Sequence, residues 1–272
     1  MRYYNVRIKR YDEDHFSITT YNYGNRIDYS SLIEETKQLE VSDIEGWDEW
    51  EYTPSLFDRV CDVKRSITVS TNRSKNMIYD YARSNDFEWF VTMTFNPEKV
   101  DSFDYAECSK KLSQWLNNVK KRYSPDIRYL FVPELHKSGR YHFHGLLGEI
   151  GTLPLVDSGK RDHGQVIYNI DNYKLGFTTA TKILDKQRTA TYIGKYITKE
   201  LSGHIRGKKR YWNSKNLMTP KIENLTYDEL LDMGIDQEFL ENNSMYSKTV
   251  EYEVNGYNRK VSYYEFQKQK EG

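Results

Sequence analysis

The chain has 272 residues, of which 38% are apolar and 29% charged, with 24 Tyr and two Cys. That suffices for one well-cored domain with decorations or two small ones, and it excludes a disordered chain, a collagen-like chain and a coiled coil. Forty basic residues balance forty acidic ones, so overall charge alone argues against a nucleic-acid protein. No run approaches the about eighteen apolar residues of a membrane span. The start, MRYYNVRIKRYDEDHF, has no apolar core after its basic residues and does not read as a secretory signal. Cys61 and Cys108 are too few for a disulfide framework or a CxxC metal site, and they suit a reducing cytoplasm.

In chain order, residues 1–60 alternate weakly and then turn acidic, with no assignable element. NRSKNMIYDYARSN, 72–85, reads as a helix with Met77, Ile78 and Tyr81 at helical spacing. Residues 88–95, EWFVTMTF, are a strand of aromatic and β-branched residues closed by Asn96-Pro97. Ser102 is the expected N-cap of a helix reaching Tyr123, with Phe103, Leu112, Trp115, Leu116 and Val119 on one stripe. Strands follow at 127–136 and 141–147 around the turn Lys137-Ser138-Gly139-Arg140, then a polar excursion, then strand-like pieces at 165–170 and 176–181. A helix over 186–201 completes the series. Asn255-Gly256, flanked by VEYEV and YNRKVSYYEF, signals a terminal hairpin. This order predicts an α+β fold, an antiparallel central sheet with flanking helices on one face, as in ferredoxin-like and RRM-type domains. The expected division is an unassigned acidic N-terminal extension over 1–70, a main domain over 71–220, and an acidic C-terminal segment with its hairpin over 221–272.

Charge is segregated although it sums to zero. Residues 181–215 hold ten basic against two acidic side chains, a net +8, and residues 26–58 hold the reverse, a net −8. A local basic face can therefore meet an anion on a neutral protein.

Three of the six histidines fall within nine positions: His136, His142 and His144. His142 and His144 alternate about Phe143 and so share one strand face, and Glu134 and His136 have the same relation on the preceding strand. With an odd-numbered loop and Gly139 in the left-handed region, His136 faces His142, Glu134 faces His144, and the four converge; a two-residue turn would separate them. Carboxylate and imidazole without thiolate suit Mg²⁺ or Mn²⁺, with Zn²⁺ or Co²⁺ also compatible.

A second cluster lies in ATYIGKYITK, 190–199. Tyr192, Lys195, Tyr196 and Lys199 fall on one face of a helix, while Ala190, Ile193, Ile197 and Leu201 form the opposite apolar stripe. A phenolate can attack a phosphodiester to give a phosphotyrosine adduct. Neighbouring lysines would favour that phenolate and hold phosphate oxygens, and a divalent ion would polarise the phosphate.

Together FVTMTF, ELHKSGRYHFHG and YIGKYITK resemble, in that order, the three motifs of the HUH endonuclease superfamily of rolling-circle replication initiators. The resemblance spans about residues 85–215, and its doubled tyrosine is similar to phage and mobile-element initiators of the gene II and microvirus type. It implies that His142, His144 and Glu134 bind the metal, with His136 at a more variable position. It also implies that Tyr192 and Tyr196 are nucleophiles with Lys195 and Lys199 as helpers. Its implied partners are single-stranded DNA at a replication origin and, because no G-x-x-x-x-G-K-S/T loop is present, a host helicase and polymerase. Arg206, Lys208, Lys209 and Arg210, followed by Tyr211 and Trp212, are the expected track for that strand. Histidines preceding tyrosines disfavour a plasmid-mobilisation relaxase. The alternatives are a non-catalytic RRM-like binder, which needs solvent-facing Phe95 and Phe143, and a metal-water phosphodiesterase that forms no adduct.

Overall fold

The computed structural model describes residues 3–26, 56–254 and 256–268; most of the acidic stretch 26–58 lies outside them. The chain divides into two compact units, residues 56–219 and residues 1–55 with 220–272. The boundary expected at residue 70 falls inside a helix. The two ends of the chain, expected as separate segments, pair in one sheet.

In the unit of residues 56–219, helix α1 (Leu56–Ser84) leads into strand β3 (Trp89–Phe95), helix α2 (Tyr105–Arg122), and the hairpin β4 (Arg128–Leu135) and β5 (Tyr141–Gly148). A second hairpin, β6 (Leu155–Asp162) and β7 (Gln165–Ile170), then β8 (Gly176–Lys182), α3 (Lys186–Ile193), α4 (Lys199–His204) and the short β9 (Trp212–Asn213) complete it. The sheet order is β6-β7-β8-β3-β5-β4-β9, with antiparallel pairing throughout. β5 lies between β3 and β4, so β3-α2-β4 is a split β-α-β unit.

Alternation within β3 explains why the sheet is covered on both faces, where helices on one face were expected. Val91, Met93 and Phe95 are buried with Phe131 and Phe143 beneath α2, whose Cys108, Leu112, Trp115, Leu116 and Val119 make its apolar stripe. Phe90 and Thr92 point the other way, toward α3 and the turn that follows it. There Leu130, Val132 and Leu146 of the sheet, with Ile78, Ile193, Ile197 and Leu201, give that side its own buried layer.

Four elements depart from the expected ones. α1 begins sixteen residues before residue 72, through the β-branched run ITVST. Ser70 and Thr71 hydroxyls donate back to the carbonyls of Ser66 and Ile67, and α1 packs on α3 and α4. α2 is capped by Asp104, whose carboxylate accepts from Ala106 N, so Phe103 lies outside the helix and is 56% exposed. β6 arises from the polar excursion as the partner of β7. The helix expected over 186–201 is broken: α3 passes into a 3-10 turn at Gly194–Tyr196, Ile197 leaves helical geometry at φ −82°, ψ 87°, and Thr198 caps α4 afresh.

The other unit is a five-stranded antiparallel sheet in the order β10-β1-β2-β12-β11, formed by β1 (Tyr3–Arg10), β2 (His15–Arg26), β10 (Lys221–Leu225), β11 (Tyr246–Val254) and β12 (Tyr257–Gln267). The last two are the expected hairpin. Val6, Ile8, Ile18, Tyr264 and Phe266 form its core with Leu230 of α5 (Tyr227–Asp232) and Leu240 of α6 (Gln237–Asn243). Thr226 and Glu229 close a capping box at the start of α5.

Candidate active site

The β4–β5 loop runs from His136 to Arg140, with His136 N donating to Arg140 O at 2.9 Å, Gly139 N to His136 O at 2.8 Å, and Gly139 at φ +81°. Five loop residues rather than three shift the expected register by two. Glu134 therefore stands opposite His142, and Val132 opposite His144. A shift of two preserves the face, so Glu134, His142 and His144 still share one side of the sheet.

His144 is the most enclosed of them, 6% exposed. Its Nε2 lies 2.8 Å from Glu134 Oε2 and its Nδ1 3.1 Å from Thr92 Oγ1, Thr92 being its direct neighbour on β3. Burial holds the His144 imidazole below its ordinary pKa against the pull of Glu134, and burial with His136 nearby does the same for His142. Both rings are thus neutral at pH 7. A neutral His144 then donates Nε2–H to Glu134 and accepts from the Thr92 hydroxyl. His142 stacks on the exposed His136 ring with centroids 5.0 Å apart, and His136 Nδ1 lies 2.9 Å from Ser138 Oγ.

The donor types fit a divalent ion. Glu134 Oε2 and His144 Nε2 are separated by 2.8 Å, close to the about 2.9 Å between adjacent ligands of an octahedral Mg²⁺. They are engaged with each other, however, and no group of three or more His, Cys, Asp or Glu among the described residues stands ready to hold a metal.

The tyrosine segment lies directly on this cluster. The Tyr196 ring stacks on His144 at a centroid separation of 3.6 Å and an interplanar angle of 8°. Its hydroxyl donates to the Tyr192 hydroxyl at 2.9 Å. Tyr192 is 47% exposed, rests edge-on against Phe90, and has Lys195 Nζ 5.6 Å from its ring centroid. Burial first, then the bond to Tyr192, pushes the Tyr196 phenol well above its ordinary range. Lysine proximity was expected to favour both phenolates; at Tyr196 the packing opposes this. Lys199 falls beyond the break at Ile197, as the first residue of α4, so the four residues do not share one helical face.

Arg206, Lys208, Lys209 and Arg210 form the loop after α4, which turns at Gly207 with φ +74°. Lys208, Lys209 and Arg210 line a cavity of about 510 Å³ with Ser74, Tyr211 and Asn213, and Arg210 Nε is buried without a hydrogen-bond partner. Trp212 is no stacking platform. It is 4% exposed, packed edge-on against Phe143, with Nε1 donating to Ser113 Oγ. Phe95 and Phe143, needed in solvent by the plain binding-sheet reading, are buried as well. The sequence reading missed Thr92 and Phe90, which touch His144 and Tyr192; the signal was the half-polar phase of FVTMTF, whose alternate positions cannot all enter one core.

Residues 88–201 match the family model of the replication-associated proteins ORF2 and gene II protein. This stretch is less than half of the chain, yet it runs from the start of β3 into α4 and holds Thr92, Glu134, the three histidines and both tyrosines. The match supports a rolling-circle, replication-associated protein whose partner is DNA. No curated protein and no solved structure matches the chain. No helix among the described residues is long and apolar enough to cross a membrane.

Proposed function

We propose that this chain initiates rolling-circle replication as an HUH-type endonuclease and strand transferase. It would nick single-stranded origin DNA through a tyrosine and later rejoin the strands. The observation that carries the reading is the seating of Tyr196 on His144, which brings both phenols to the face bearing Glu134 and His142.

Tyr192 is the first nucleophile in this reading. It is the more exposed phenol, a cation lies against its ring, and the hydrogen bond it accepts from Tyr196 favours its phenolate. Attack forms a bond from Tyr192 Oη to phosphorus and breaks the bond to the 3′ oxygen, which takes a proton from solvent. The 5′ end stays on the protein as a phosphotyrosine. The retained 3′-hydroxyl can reverse the step, and Tyr196 serves the second cleavage once Tyr192 is occupied.

Glu134, His142 and His144 would hold Mg²⁺ or Mn²⁺, with His136 as an additional donor; when bound, the ion polarises the scissile phosphate. Thr92 fixes the orientation of His144. Arg206, Lys208, Lys209 and Arg210 receive the strand's phosphates. Unwinding and synthesis fall to a host helicase and polymerase in the cytoplasm.

The test is incubation with single-stranded origin DNA in Mn²⁺ or EDTA, followed by a denaturing gel and intact mass. A Mn²⁺-dependent adduct that is lost in Tyr192→Phe/Tyr196→Phe is the expected result. Cleavage without any adduct would replace this reading with attack by metal-bound water.

A further inference from the structure

The sheet of the chain-terminal unit is built asymmetrically. One face carries Val6, Ile8, Ile18, Tyr264 and Phe266 beneath α5 and α6. The register fixes what the other face presents. Arg7 pairs with Thr19, Thr19 with Tyr263, and Tyr263 with Lys248, making one row across four strands. Tyr21, Val261 and Val250 make the next row. Arg259 and Tyr252 form a third, and Tyr23 joins it: the Arg259 guanidinium lies 4.1 Å from the Tyr23 ring centroid, and the Tyr23 and Tyr252 hydroxyls are 2.8 Å apart.

No helix of this unit among its described residues packs on that face. Val261 is buried beneath the rings, whereas Tyr252 and Tyr263 remain 42% and 43% exposed. Phenols in contact, with guanidinium groups held over them, differ from an ordinary solvated strand face, which spreads Thr, Lys and Glu. Glu265 is the one carboxylate among the described residues in this phase of the strands, against Arg7, Lys9, Lys248 and Arg259. Flat π faces interleaved with cations on an open sheet match the chemistry of an unpaired strand: bases stack on the rings, and phosphates pair with the cations. An acidic peptide would use the charges and leave the rings idle, and a duplex would hide its bases from them.

We infer that this open face is a second binding surface for single-stranded DNA, formed by residues other than the basic loop at 206–210, with Tyr21, Tyr23, Tyr252 and Tyr263 as stacking residues and Arg7 and Arg259 as phosphate contacts. That the strand is DNA rests on the proposed replication function; that the ligand is single-stranded nucleic acid rests on the face itself.

The test uses the full chain in EDTA with an oligothymidylate containing 5-iododeoxyuridine. Photocrosslinks mapped by peptide mass should fall on Tyr252 or Tyr263. Tyr252→Ala/Tyr263→Ala should weaken binding by roughly tenfold or more, while Tyr252→Phe/Tyr263→Phe, which keeps both rings, should bind as the unaltered chain does. Arg259→Gln should lower the slope of log affinity against log salt by about 0.7. Crosslinks confined to residues 56–219, with Ala and Phe pairs binding alike, would overturn the inference. So would a dimer in light scattering that the Ala pair disperses, which would assign the face to a second copy of the chain. The adduct assay separates the two readings: adduct formation with crosslinks only in 56–219 sinks this surface alone, and crosslinks on Tyr252 without any adduct sink the nicking reaction alone.

Discussion

At the scale of single residues the two phenols are not equivalent. Tyr196 is stacked on an imidazole and held above its ordinary pKa by burial, whereas Tyr192 is exposed and accepts its hydrogen bond. Tyr192→Phe should therefore abolish the first adduct on single-stranded DNA. Tyr196→Phe should leave an adduct that forms more slowly, because the donor to the Tyr192 oxygen is gone; gel-quantified single-turnover rates distinguish the two. Thr92→Val keeps the shape and removes the hydroxyl beside His144 Nδ1. A buried acceptor left bare costs about 1–3 kcal/mol, read as a lower melting temperature, and Mn²⁺ affinity by calorimetry should fall about 10- to 100-fold. His142 and His144 both sit below 6.5 in the fold. The unfolded chain thus binds protons that the native state refuses, and stability is retained above about pH 6.5 and lost as pH falls toward the native values. Urea midpoints should drop between pH 7 and pH 5, and His144→Asn should flatten that drop.

At the scale of elements, the β4–β5 hairpin is set by its loop and by what lies under it. A Cβ added at Gly145, between His144 and Leu146, would stand 2.3 Å from the Phe131 ring. That ring is fully buried and meets Trp115 of α2 edge-on. Gly145→Ala should cost about 1–3 kcal/mol by overpacking, visible as a fall in melting temperature, and should disturb the Thr92–His144 contact across β3 as well. The hairpin was legible in the sequence because period-two spacing of Glu134, His142 and His144 fixes a face whatever the loop length, provided the loop is odd. The broken tyrosine helix was not legible. Every side chain from Ala190 to Leu201 fits a continuous helix, and Ala190, Ile193, Ile197 and Leu201 are indeed all buried. The break at Ile197 serves the packing of Tyr196 on His144, a contact between residues fifty-two positions apart that no local pattern encodes.

At the scale of the whole molecule, the chain's two ends build one sheet and its middle builds the other. Each unit has its own apolar cluster. Ile18→Ala, in the terminal unit's core, should cost about 2–5 kcal/mol, and hydrogen exchange should rise in 3–26 and 246–267 while the amides of β3 and β5 keep their protection. The net charge of zero hides this organisation. The basic excess over 181–215 includes the loop at 206–210 beside the cavity, while Arg7 and Arg259 give the terminal sheet cations of its own.

Local pattern in the chain was enough for the α+β class, β3, α2, both hairpins at 128–148 and 246–267, and the residues of the candidate site. Strand alternation and helical spacing are short-range signals, and the metal-type and nucleophile-type side chains sit in phase with them. Which of those residues meet was settled by long-range packing. It moved Trp212 from a supposed DNA platform into the core, set Lys199 beyond a break, and brought Thr92 to His144. It also joined residues 3–26 to residues 221–267, because strand partners far apart in sequence are chosen by complementary buried faces and not by any pattern within one strand.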